Sequence, residues 1–274
     1  MTLTLSHGPL SGRPPQTVNY ELRGPAHKLF FQDFPRRVRA RFAGETVLDT
    51  RDGMLLHETG LLPQLYVPDA DLTAELLRPT EHDTHCPFKG TAAYWSVSPA
   101  GGAGESQQEG GAARVAENAV WAYPEPLAEA SWLRGYKAVY WGSMDQWLDE
   151  DEEVLGHLRD PYHRVDVRRS SRHVRILAGE QVIADSTRPM LLSETGLPNR
   201  YYLPRGDVRT DLLEHSDTST VCPYKGTAEY WSLPLDGRRL DDVAWSYAEP
   251  LDETLKAAGY LCFLHDELSI EVTD

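Results

Sequence analysis

The chain has 274 residues, 41% hydrophobic and 25% charged, which is a globular composition with length for more than one core. Its formal net charge of −15 argues against nucleic acid as a partner, because phosphate binding relies on clustered Lys and Arg. No stretch nears the roughly 18 apolar residues of a membrane span, and MTLTLSHGPLSGRPPQT at the start lacks a basic region followed by an apolar one, so a cytoplasmic protein with no membrane contact is expected.

In chain order, residues 1–35 read as an N-terminal tail and lead-in. Residues 38–42 and 46–49 have the β-branched and alternating character of strands, with Ala43-Gly44-Glu45 as the hairpin connection. CPFKGTAAYWS, beginning at Cys86, reads as strand, turn, strand. The stretch 100–113, AGGAGESQQEGGAA, cannot bury enough apolar surface to offset its ordering entropy and is expected to be a flexible loop. Residues 126–135 open on Pro and close on Gly, the pattern of a short helix. Residues 145–159 carry the acidic run 149–153 and are expected to be an extended linker. Strands follow at 162–167, 174–177 and 181–184, with Ala178-Gly179-Glu180 as the turn, then CPYKGTAEYWS from Cys222 and a second short helix over 250–259.

The two CP-aromatic-KGTA motifs lie 222 − 86 = 136 residues apart, and that offset holds without a gap from Met54/Met190 to Ser96/Ser232. Over those 43 positions 22 are identical, against roughly 6% for unrelated segments. Beyond the motif the offset falls to 124, aligning Trp121, Tyr123, Glu125, Pro126 and Leu127 with Trp245, Tyr247, Glu249, Pro250 and Leu251. The chain is a tandem duplication of two domain-sized copies, 36–144 and 160–274. The fold class expected is mainly β: two similar antiparallel β domains, each with a short late helix.

The chemistry concentrates at the motif. Cys222 with Lys225, and Cys86 with Lys89, are candidates for thiol catalysis, since a nearby cation lowers a cysteine pKa. A small buried hydrophobe beside a solvated turn lysine fits the same letters. Tyr66/Tyr202, Tyr94/Tyr230, Trp95/Trp231, Trp121/Trp245 and Tyr123/Tyr247 could wall a small-molecule pocket with Glu58/Glu194 and Lys89/Lys225 as polar anchors, or could be core. On the outgoing strand Tyr230 and Trp231 point to opposite faces, and either could face the core. His82 and His85 near Cys86 align with Thr218 and Val221, so no metal site common to the copies is expected, and no cofactor. The basic run from Arg164 to Arg175 alternates with valines like the solvent side of a strand. Three cysteines, Cys86, Cys222 and Cys262, do not suggest a disulfide framework.

The repeated motif, followed by WAYPEP from Trp121 and WSYAEP from Trp245, resembles the bacterial domain of unknown function 427 family over roughly residues 36–144 and 160–272. The resemblance implies a compact, mostly β domain present twice. The nucleotidyltransferase label attached to that family would imply a phosphate-cradling Gly loop or paired Asp residues for Mg²⁺; neither is found, so that activity is not carried over. The expectation is a monomer, its copies packed as an internal pseudo-dimer, that binds a small molecule near the two motifs; the alternatives are a thiol-dependent enzyme and an interaction scaffold.

Overall fold

Ala43 and Gly44 both hold left-handed backbone, φ 50° and 85°, as a two-residue hairpin turn demands, and they join strand Val38–Phe42 to strand Glu45–Thr50. A computed structural model describes residues 17, 19, 24–99, 114–235 and 237–274. The chain divides into two units, Met1–Asp160 and Pro161–Asp274, both built from antiparallel sheets. The expected loop at 100–113 lies outside the described residues, as does most of the N-terminal tail.

In the first unit a seven-stranded sheet runs in the order Leu29–Asp33, Met54–Glu58, Gln64–Pro68, Tyr136–Val139, Ala116–Ala122, Gly90–Val97, Leu77–Cys86. A smaller sheet orders Glu152–Glu153, Gln146–Asp149, Val38–Phe42 and Glu45–Thr50. The second unit repeats the large sheet as Val165–Arg169, Met190–Glu194, Arg200–Leu203, Leu261–Phe263, Arg238–Ser246, Gly226–Leu235, Glu214–Cys222. Its small sheet is Gln181–Ser186, His173–Ala178, Leu268–Thr273. Each expected hairpin is present, and each late helix is a six-residue 3-10 segment, Ala128–Leu133 and Asp252–Ala257, followed by Gly135 and Gly259 in the left-handed region.

Two segments take part in sheets that reading by composition sets outside the repeats. Leu29–Asp33, within residues 1–35, pairs along its whole length with Met54–Glu58. Gln146–Asp149 and Glu152–Glu153, within 145–159, extend the small sheet. Two carboxylates of the acidic run there are paired with arginines: Arg36 bonds Asp149 at 2.7 Å and Arg39 bonds Asp151 at 2.7 Å.

Each large sheet has two apolar faces, because successive side chains alternate. In the second unit Trp231, Leu233, Val243, Ala244 and Leu261 pack against Val174, Ile176 and Ile183 of the small sheet. The opposite face gathers Val165, Val167, Leu192, Tyr202, Tyr224, Ala228, Tyr247, Ala257 and Cys262. The first unit repeats the division, with Tyr66, Ala92, Tyr94, Trp121 and Tyr123 on the face turned away from its small sheet.

That second face lies on the inside of a curl. Glu194 ends the second strand of the sheet order, while Lys225 sits in the hairpin joining the sixth and seventh, about four strand spacings or ~19 Å away on a flat sheet. Their charged groups are 2.5 Å apart, so the sheet rolls its ends together. A bulge at one place in both units assists the bend. Asn118 and Asp242 take left-handed backbone, φ 50° and 53°, beside register shifts after Trp95 and Trp231. Their N–H groups donate to Ser96 Oγ (3.0 Å) and Ser232 Oγ (3.1 Å), which gives the last motif serine its purpose.

Candidate functional site

The motif turn is held by the chain segment that follows it. Gly226 (φ 99°) lies so close to the backbone of the Glu249-Pro250 step that a Cβ there would sit 3.0 Å from the Glu249 carbonyl oxygen; at Gly90 (φ 106°) the distance to Glu125 O would be 3.3 Å. Leu251 N–H donates to Lys225 O at 3.2 Å and Leu127 N–H to Lys89 O at 3.0 Å. The two sequence motifs are thus two sides of one contact, and glycine is required where backbone meets backbone.

Above this turn each unit carries a Lys–Glu–His cluster, buried at Lys89 and Glu58 in the first unit and half-buried in the second. Lys225 Nζ donates to Glu194 Oε2 at 2.5 Å, and His163 Nε2 lies 3.0 Å from Glu194 Oε1. In the first unit Lys89 Nζ donates to Glu58 Oε1, and His27 Nε2 lies 3.3 Å from Glu58 Oε2. Each histidine also packs on the aromatic residue of the motif: His27 stacks on Phe88 with centroids 3.8 Å apart, and His163 lies 4.2 Å from Tyr224. Lys28 N–H donates to Thr59 Oγ1 and Arg164 N–H to Thr195 Oγ1, both at 2.9 Å, fixing the chain that presents the histidine. Burial pushes the Glu194 carboxyl up, but the hydrogen bonds from His163 and Lys225 and their charges outweigh it and leave the group below its ordinary value.

The histidines are the residues that motif reading missed. The signal was present: Pro25-Ala26-His27-Lys28 and Pro161-Tyr162-His163-Arg164 match at the same offset, 163 − 27 = 136. The apolar letters after each differ, LFFQD against VDVRR, which hid the alignment.

Most of the other expected site residues converge beside this cluster. Tyr202 and Tyr247 have ring centroids 6.4 Å apart, and Trp245 Nε1–H donates to the Tyr202 hydroxyl at 3.0 Å. Tyr230 OH is 2.8 Å from Thr220 Oγ1, as Tyr94 OH is 2.9 Å from Thr84 Oγ1. Burial drives the Tyr66, Tyr123, Tyr202 and Tyr247 hydroxyls up, so all four stay protonated donors across ordinary pH. Lys89 Nζ lies 5.6 Å from the centroid of the Tyr123 ring. Cys86 and Cys222, half-buried, pack against the same faces, while burial pushes the enclosed Cys262 thiol up to about 12.

Trp95 and Trp231 do not join them. Both point the other way, to the core between the sheets, with Lys137 Nζ 4.9 Å from the Trp95 ring and the Arg205 guanidinium 4.8 Å from that of Trp231. The expected ammonium–thiolate pairing also meets a competitor, since each motif lysine spends its charge on a carboxylate. His82 and His85 turn to Tyr94 (4.5 Å between centroids) and Thr91 Oγ1 (3.2 Å).

A family model, described as a domain of unknown function (DUF427), matches residues 31–150 and again 166–274. The chain belongs to that family. Its two DUF427 copies account for both large sheets and both motifs, and His27 and His163 stand just ahead of the matched spans. A search of curated proteins gives no match. Among the described residues no helix is long and apolar enough to cross a membrane.

Proposed function

We propose that each DUF427 domain binds a small molecule on the tyrosine-lined inner face of its rolled sheet, beside the Lys–Glu–His cluster. The supporting observation is that cluster itself, repeated at identical spacing. Taking charges out of water costs several kcal/mol per ion, and a well-packed apolar replacement is often as stable. Two copies that diverge in most surface letters nevertheless keep Glu58/Glu194, Lys89/Lys225 and His27/His163 with the same contacts. Titratable groups gathered by burial beside aromatic walls are the usual furniture of a ligand site.

A thermal-shift screen against nucleotides, sugars, thiols, acyl-CoA compounds and divalent metals tests this reading, because a ligand of the native state raises its melting temperature. A hit abolished in a Tyr123→Phe/Tyr247→Phe variant supports it; hits that survive in that variant, or none, count against it.

The thiol alternative rests on the half-buried position of Cys222 and Cys86 against the same faces. Alkylation by iodoacetamide as a function of pH decides it: a reactive thiol titrating below the ordinary cysteine range favours an enzyme, and slow alkylation returns both cysteines to packing. Cytoplasmic residence, on the free thiols, and a monomeric state complete the proposal. Light scattering is then expected to give one species of 30.8 kDa.

A further inference from the structure

The two inner faces differ at one charged position. Arg200 in the second domain aligns with Gln64 in the first, 200 − 64 = 136. Arg200 is paired across the strands with Leu192 and lies two residues before Tyr202, so it shares the face of Leu192, Tyr202 and Glu194. Its charge reaches Cys262, as does that of Lys225. In the first domain Ala138 replaces that cysteine, and the Gln64 amide is absorbed by the backbone, donating to Leu65 O at 3.1 Å and Val139 O at 3.4 Å.

Arg200 makes no ion pair among the described residues. Glu194, the carboxylate on this face, is already shared by His163 and Lys225. The second face therefore holds both Lys225 and Arg200 beside Glu194, whereas the first holds Lys89 beside Glu58 with the neutral Gln64 in the place of Arg200. Hydrogen-bond donors are in excess too. The Tyr202 oxygen accepts from Trp245 and its own proton meets no acceptor among the described residues, while the Tyr247 hydroxyl makes no hydrogen bond there and is not enclosed, so its proton is open to a guest. A guanidinium and two phenolic donors on one side of an aromatic face call for an acceptor-rich, negatively charged guest.

We infer that the second domain binds a small aromatic or apolar oxyanion, a carboxylate or phosphate ester, with Arg200 as its anchor, and that the first domain does not. This rests on the inner face being a binding face, and it adds the ligand class and the difference between the domains.

The test is a titration of the full chain with benzoate, phenyl phosphate, inorganic phosphate and the uncharged benzamide, at constant ionic strength set with chloride, read by calorimetry and thermal shift. The expected result is saturable binding of benzoate or phenyl phosphate to one site per chain, with benzoate and phenyl phosphate telling the carboxylate from the phosphate source. Arg200→Gln, which installs the first domain's residue, should weaken it at least about tenfold, as loss of a charged hydrogen bond does, and Arg200→Lys should retain part of it. The melting temperature of Arg200→Gln without ligand is the folding control. Undiminished anion binding in a folded Arg200→Gln overturns the inference, as does two-site binding. Binding of benzamide with no anion binding overturns the oxyanion assignment while leaving the binding face standing. No binding by any probe, in this titration and the wider screen alike, removes both.

Discussion

Lys225 and Glu194, 31 residues apart in sequence, close the roll of the second large sheet with one 2.5 Å hydrogen bond between half-buried charges. Lys89 and Glu58 do the same in the first, at the same separation. One pair thus serves as a latch between distant strands and as the polar floor of the candidate site.

Breaking that pair from one side should be costly, because Glu194 then keeps only His163 as a polar partner in a half-buried site. Lys225→Met is expected to lower the unfolding free energy by about 3 kcal/mol or more, and the double variant Lys225→Met/Glu194→Leu by less than the sum of the two single changes. Urea unfolding of the four proteins of the cycle measures the coupling.

Acid should weaken the same latch. The Glu194 carboxyl sits below its ordinary value in the folded chain, so the unfolded chain binds the proton more readily. Stability from this group is complete above the unfolded pKa and is lost as pH falls through the folded one, beginning near about pH 4.5. In Glu194→Gln the second unit should lose stability less steeply over that acid range than in the wild type, as followed by urea midpoints at successive pH values.

Gly226→Ala should be worse than an ordinary helix or loop glycine replacement. The new Cβ would meet the Glu249 carbonyl oxygen at 3.0 Å in a backbone region that L residues avoid, which argues for about 1–3 kcal/mol of destabilisation. Gly90→Ala, with 3.3 Å to the Glu125 oxygen, should cost less. Calorimetric melting of each variant gives the order.

The three cysteines should not react alike. Cys262 is fully enclosed, and its thiol is pushed up to about 12 by burial. At pH 8 an aromatic disulfide reagent is expected to modify at most two thiols in the native chain and all three in denaturant. Fast labelling of three in the native state would show that the inner face opens.

Much of this organisation was readable from letters. Strands with a clean alternation, such as Val38–Phe42 and His173–Ala178, announced themselves because one face of each is buried. The motif hairpin was legible through Pro-aromatic-Lys-Gly, and the short helices through their Pro and Gly ends. What failed to show was long-range. Leu29–Asp33 has exposed and half-buried residues without alternation, because it is an edge strand. The Gln146–Asp149 strand was masked by acidic letters whose arginine partners lie more than 100 residues earlier. The opposite facing of Tyr230 and Trp231 followed from alternation, but which of them met the site depended on the roll of the sheet. His27 and His163 needed the offset carried upstream across dissimilar strands.

The most direct test of the binding face is hydrogen–deuterium exchange of the full chain with and without a ligand identified in the screen. Protection concentrated at residues 194–197, 222–226 and 245–249, or at their counterparts 58–61, 86–90 and 121–125, is the predicted result. Binding that leaves all of these segments unchanged while protecting the small sheets or the outer edge strands would contradict it.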